Sequence, residues 1–342
     1  MSPPASLIRA AQALVLAGWC GLPLIARAEY TNTNQGPVFV LLEENDLVVD
    51  TDRHYTQGIK LGFFLRDNAL PPLAKGFYEN FPEWGFNSKV GKFGYQIGQS
   101  MYTPANLQTT ALLPEDRPYA GWLYTGFILH RRGETGEAKW PTLESFELQL
   151  GVVGPWSLAE EAQTWVHQVR GFELPQGWDN QLHNEPGVEL RYQRSVRFGA
   201  TQLHPLDIEF TPHAGFSLGN VEVTARIGGQ VRLGFNLPDD CGIQNIDSLI
   251  TSAGGWSDRQ WGVYVFAGAD GRAVLYNTFL DGNLFHNSHS VDKEPLVGDF
   301  KAGFVFVLNR VELGYTYVFR TPEFTEQTTS DQFGSFYFKL KF

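Results

Sequence analysis

What this chain has little of narrows its class first. Among 342 residues there are two cysteines, Cys20 and Cys241, and the first falls inside an N-terminal leader, so no intramolecular disulfide is expected. Zinc held by paired cysteines is excluded for the same reason. No serine nucleophile elbow of the G-x-S-x-G type is read, and no G-x-x-x-x-G-K-[ST], G-x-G-x-x-G or H-E-x-x-H occurs. Serine-elbow, P-loop, dinucleotide and zincin chemistry are therefore set aside. After the leader no apolar run reaches the roughly 18 residues of a membrane-spanning helix. Basic residues are also scarce. Losing Arg9 and Arg27 with the leader takes 26 basic residues to 24 against 37 acidic, a net of about −13. That balance excludes nucleic acid as a partner, and an anionic lipid would need a local Arg and Lys cluster or a bridging divalent cation. There is no internal repeat and no low-complexity segment.

The leader itself is legible. Arg9 supplies a weak positive charge, Ala11 to Ile25 an apolar core, and Ala26-Arg27-Ala28 a small-x-small cleavage site, so residues 1–28 are expected to be a signal peptide and 29–342 a single mature domain. A lipid anchor on Cys20 does not fit, because Trp19 separates it from the small residue Gly18.

Beyond the leader the chain alternates with period two. The last segment is plainest, with Phe336, Phe338, Leu340 and Phe342 on one face against Tyr337, Lys339 and Lys341. Strands of this two-faced kind, ending on an aromatic residue, resemble those of bacterial outer-membrane barrels. Alternation and turn residues place twelve strands near 37–45, 56–66, 92–101, 120–132, 142–153, 187–197, 206–216, 221–235, 261–277, 299–308, 310–320 and 334–342. The ninth could break at Gly268-Ala269-Asp270-Gly271, but an even count favours keeping it whole. The fold expected is all-β, an antiparallel transmembrane β-barrel of about twelve strands with a short external helix; a soluble β-sandwich is the alternative. Aromatics, 14% of residues, suit interfacial girdles such as Tyr315, Tyr317 and Phe319.

The helix signal lies in Gly154 to Pro186. Ser157 reads as an N-cap with Glu160 three residues on, and Gly171 as the stop of a helix of about fourteen residues. Glu160, Gln163 and His167 share one face; Leu158, Ala162, Val166 and Val169 form a second, apolar one. Strand parity puts this stretch at one rim with Asn45 and Asp46, the Thr51-Asp52-Arg53 and Tyr55-Thr56 region, Asp116-Arg117-Pro118-Tyr119-Ala120-Gly121 and Asp281-Gly282-Asn283. His54, His183, His286 and His289 fall in loops, where a solvated side chain is the default. The longer segments 67–91 and 236–259 fall at the other rim and can hold short helices. At the first rim an imidazole can take a proton from water. Asp46 and the Asn45 amide suit a hard cation, calcium above all, whose place on an ester carbonyl would stabilise the oxyanion.

The order Glu44-Asn45-Asp46, Thr51-Asp52-Arg53, Tyr55-Thr56-x-Gly58, Tyr102-Thr103-Pro104, Asp116 to Gly121, Gly151 to Pro155 with Gln163 and His167, then Gly177-Trp178-Asp179-Asn180-Gln181 resembles the LpxR-type lipid A 3′-O-deacylases of Gram-negative outer membranes. Gln57 and Gly62 depart from the residues usual there. The resemblance implies a twelve-stranded barrel with its active site between wall and external helix, facing the outer leaflet, calcium dependence, and hydrolysis of the 3′-linked acyloxyacyl ester of lipid A. It implies His167 as general base, Asn45 and Asp46 as holders of Ca2+ and framers of the oxyanion site, and Glu173 as a carboxylate serving the histidine. Arg117 and Arg53 are expected at a sugar phosphate, with Thr56, Gln163 and Asp116 beside the substrate. Lipopolysaccharide and membrane lipid would be the partners of a monomer. A phospholipid esterase and a non-catalytic barrel remain as alternatives.

Overall fold

A computed structural model describes residues 35–45, 54–203, 206–242 and 260–342, with nothing said of side chains at 200–203. The expected signal peptide, Asp46, and Thr51, Asp52 and Arg53 lie outside the described residues, as does most of 236–259.

Thirteen strand segments make one antiparallel sheet among the described residues: β1 (Val38–Asn45), β2 (His54–Phe64), β3 (Phe86–Thr103), β4 (Ala120–Thr135), β5 (Trp140–Val153), β6 (Glu185–Val196), β7 (Phe198–Leu203), β8 (Leu206–Gly219), β9 (Glu222–Phe235), β10 (Trp261–Asn277), β11 (Leu296–Leu308), β12 (Val311–Arg320) and β13 (Asp331–Lys341). β6 and β7 are one strand interrupted at Arg197, since both pair with β8 in nearly continuous register. The barrel therefore has twelve staves, closed by β1 against β13 from Val38 opposite Lys341 to Asn45 opposite Gly334. β10 runs unbroken through Gly268 and Gly271 between β9 and β11, as the even strand count required.

The alternation has a physical cause at each face. Along β1 burial alternates residue by residue, Val38, Val40, Leu42 and Glu44 pointing inward. The interior is packed with ion pairs: Lys60 Nζ lies 3.0 Å from Glu147, Arg232 binds Glu209 and Asp240, and Lys339 lies 2.9 Å from Glu312. Buried charges persist only when paired in this way, and the pairing fills the lumen instead of lining an open channel. The outward face is apolar and bare: Ile97, Phe306, Val265 and Phe300 are each about half exposed. A soluble protein would not leave so continuous an apolar belt in water. Tyr315, Tyr317 and Phe319 share this outer face, where girdle residues belong.

Helices sit at both rims. α1 (Pro72–Asn80) follows β2 at the rim where β1 begins. At the opposite rim, after β5, lies α2 (Ala159–Arg170), and α3 (Thr278–Asp281) is a single turn capped by the Asn277 side chain. The expected Ser157 cap is corrected. Pro155–Ser157 form a 3-10 turn, Leu158 takes φ +59°, and α2 starts at Ala159 for twelve residues with no side-chain cap. Proline at the first position tightens the chain before the α-helix can begin, so Ser157 is used for packing. Gly171 does end the helix, at φ +71°.

Candidate active site between the helix and the outer wall

Cross-strand partners share a face of the sheet. Asn45 lies opposite Gln57, Gln57 opposite Met101 and Met101 opposite Gly121. These four residues form a row on the outer face of β1 to β4, near the rim that carries α2. Burial along the row rises toward the helix, from half-buried Asn45 and Gln57 to buried Met101 and Gly121.

At Gly121 the helix touches down. A Cβ there would lie 2.0 Å from Ser157 Oγ and 2.4 Å from Ala159 Cβ, so only glycine lets α2 rest on the wall. Gln99 Nε2 donates to the Ser157 carbonyl at 2.7 Å, and Met101, Leu107, Tyr119, Ala159 and Trp178 pack into one apolar cluster below the helix. α2 is in contact with β3 as well as β4, so it lies toward β1 from its landing point.

The buried face of α2 is Ala159, Gln163 and His167, spaced four residues apart as one helix face requires. Part of the apolar stripe points away: Leu158 and Val169 are more than half exposed. His167 Nδ1 lies 2.6 Å from the backbone carbonyl oxygen of Glu173. A carbonyl only accepts, so Nδ1 carries a proton, which in the neutral ring leaves the lone pair on Nε2. The Glu173 side chain is exposed; its carbonyl, not the expected carboxylate, meets the ring. Gln163 Oε1 accepts from Trp178 Nε1 at 2.8 Å, which makes it a tie between helix and loop. Glu160 is exposed at the helix start, its carboxyl pushed up by partial desolvation and then by Glu161 and Asp179.

Other expected site residues sit elsewhere. Arg117 is fully buried inside the barrel, Nη1 donating to Glu323 at 3.2 Å and its guanidinium carbon 4.7 Å from the Tyr102 ring centre. Its side chain is fully buried against these groups instead of opening onto the rim. Asp116 Oδ2 accepts from Ala105 N at 2.8 Å, organising the loop. Thr56, at a bulge in β2, bonds the Thr103 hydroxyl at 2.6 Å, both buried. Asp281 binds Lys293 and Asn283 ties to His183, the turn chemistry their residue types favour.

Three features lie beyond the sequence reading. His54, expected as a solvated loop residue, is buried 2.7 Å from Asp331 and 3.6 Å from Asp116. Glu43 is on the outer face of β1 two residues before Asn45; period-two alternation from Phe39 and Leu41 exposes it as the one acid in an apolar row. Gly215 to Gly219 does spell G-x-S-x-G, but Ser217 lies buried within β8 between Arg191 and Thr224. It is on no strand-to-helix turn, so it is no elbow.

Among the described residues no group of three or more His, Cys, Asp or Glu is arranged to hold a metal. Asn45 and Glu43 do share one face two residues apart, and an amide oxygen with a carboxylate is a donor set that suits a hard cation.

The family model described as "Outer membrane protein LpxR" matches residues 11–342. LpxR from Salmonella typhimurium is similar in structure, with a TM-score of 0.70 at 20% identity over 89% of this chain and 100% of that one, which supports the twelve-stranded closed barrel. The β domain of the Bordetella autotransporter BrkA covers 90% of this chain and 100% of its own at 11% identity and a TM-score of 0.42. No curated protein sequence matches. A family match over nearly the whole length, on a barrel with a lipid-type outer face, makes this chain a member of the LpxR family of outer membrane proteins.

Proposed function

We propose that the chain is a calcium-dependent lipid A 3′-O-deacylase, hydrolysing the 3′-linked acyloxyacyl ester at the cleft between α2 and the outer wall. The observation that carries this reading is the tautomer of His167: a buried imidazole held through Nδ1 by the Glu173 carbonyl offers Nε2 as a base. Geometry supports its partner. Eight residues separate Ala159 from His167, about 12 Å along a helix axis, and three strand spacings separate Gly121 from Asn45, about 14 Å. A helix landing at Gly121 and crossing β3 has the length to carry His167 toward Asn45.

His167 Nε2 removes a proton from water as the water oxygen bonds to the ester carbonyl carbon. The ester C–O bond then breaks, and the proton passes from His167 to the departing sugar oxygen. Glu173 keeps the ring oriented throughout by accepting from Nδ1. Asn45 presents an amide beside the developing oxyanion. Asn45, Asp46 and Glu43 would hold calcium, which when bound supplies positive charge to the carbonyl oxygen. The apolar outer face below, with Ile59 and Ile97 exposed, suits acyl chains that never leave lipid. In this reading the α2 rim faces the outer leaflet and the enzyme acts as a monomer, with Arg53 serving the sugar phosphate, Asp116 at the rim, and Arg117, Thr56 and Gln163 supporting it from below.

The test is mass spectrometry of lipid A after incubation with the purified protein in detergent with calcium. Loss of one acyloxyacyl unit is expected. Fatty acid released from phospholipid with lipid A intact would transfer the site to a phospholipid esterase, and no change in either would make the barrel non-catalytic.

A further inference from the structure

At the rim opposite α2 the barrel carries a second built feature on its outer wall. α1 has no buried residue, yet it is not a polar helix. Leu73 is 90% exposed, and Leu73, Phe77 and Phe81 form one side of an open groove of about 740 Å³ whose other side is the wall at Phe127, Leu148 and Leu190. The wall residues continue the exposed lipid-facing belt of β3 to β6. One end of the groove is charged. Outward-facing Glu144 takes Arg131 at 3.2 Å and Arg194 at 2.6 Å. Arg194 also donates to the carbonyls of Trp84 and Glu83 at 3.3 and 3.4 Å. Of the two arginine side chains, only that of Arg194 reaches solvent appreciably, 23% exposed against 1% for Arg131, and the Glu83 side chain beside it, its carboxylate 3.8 Å from Arg131 and accepting from Ser88 N at 3.1 Å, stays 53% exposed.

An aromatic slot open to lipid, ending in one accessible cation next to one accessible carboxylate, has the polarity of a zwitterionic lipid. We propose that this groove binds a single glycerophospholipid with a primary-amine headgroup. One acyl chain lies between α1 and the wall, the phosphate meets Arg194 and the ammonium meets Glu83. A headgroup without the amine leaves Glu83 facing the phosphate's negative charge, and a quaternary amine cannot donate to it. The occupant explains why α1 keeps Leu73 and Phe77 uncovered: lipid covers them. The site is separate from the deacylase reading, being at the far end of the barrel from His167.

Native mass spectrometry of the full chain in detergent, titrated with dioleoyl phosphatidylethanolamine, phosphatidylglycerol or phosphatidylcholine, tests this. One phosphatidylethanolamine per chain is expected, held about threefold to fivefold more tightly than the other two. Glu83→Gln should erase that preference while keeping one lipid bound. Ala74→Trp, which fills the groove, should abolish saturable binding while the barrel keeps its heat-dependent gel mobility. Should Ala74→Trp fail to assemble, Leu73→Gln at an exposed position serves instead and should weaken binding. Equal retention by the assembled groove variant, a preference for phosphatidylglycerol, or a bound lipid A in place of phospholipid would each overturn the proposal.

Discussion

Trp178 Nε1 donates to Gln163 Oε1 at 2.8 Å with both side chains buried. Gln163 stands one turn before His167 on the same helix face, so the loop after the helix holds that face against the wall. Trp178→Phe keeps most of the ring and removes the donor, leaving Gln163 without its partner. A loss of about 1–3 kcal/mol in stability around the helix is expected, read as faster hydrogen exchange over 159–170 with the barrel strands unchanged. Lipid A turnover should fall with it.

Gly121 decides whether the helix can lie on the wall at all. Gly121→Ala puts a methyl group within 2.0 Å of Ser157 Oγ, and overpacking of this kind costs about 1–3 kcal/mol. Deacylation should fall steeply while the barrel still assembles. Gly76→Ala on α1, where a Cβ meets nothing within 4 Å, is the matched control and should leave both unchanged.

Arg117 separates the family expectation from the geometry. Its guanidinium is sealed in the barrel against Glu323, which also receives Arg272 at 3.3 Å. Arg117→Gln should destabilise the barrel by about 3–5 kcal/mol, the cost of breaking a buried pair, seen as a lower temperature for the gel-mobility shift. KM should respond equally for lipid A with and without its sugar phosphate; a selective loss for the phosphorylated substrate would restore the phosphate role.

Cys241 is buried where the loop after β9 tucks into the barrel, and burial pushes its thiol up to about 12. A raised pKa leaves only about one part in 10⁴ as thiolate at pH 8. The folded protein should therefore resist iodoacetamide at pH 8 and react once unfolded. Rapid labelling of the folded chain would contradict the burial.

The barrel is legible in the sequence because a membrane wall imposes period-two patterning on every strand, and the twelve segments read from that pattern are the twelve staves, β10 included. Ends are less legible. The start of α2 is set by Pro155 and by contact with Gly121, a tertiary matter that the Ser157 capping pattern cannot reveal. At the site, His167, Gln163 and Trp178 come from one continuous stretch and can be placed together from helix spacing. Arg117 cannot be placed, since its lumen partner Glu323 is 206 residues away. His54 is illegible for the same reason, its partner Asp331 lying across the barrel closure. Glu43 is the exception: the alternation of β1 already puts it on the outer face beside Asn45, and no long-range contact is needed to see it.

The central claim is that His167, held through Nδ1 by the Glu173 carbonyl, is the base. The most direct measurement is the rate of 3′-acyloxyacyl release from lipid A by His167→Ala against the unsubstituted chain, both assembled in detergent with calcium. A fall of about 10²–10⁴-fold is predicted, the usual worth of a positioned general base. A His167→Ala protein that releases the acyl group at the unsubstituted rate would contradict the account.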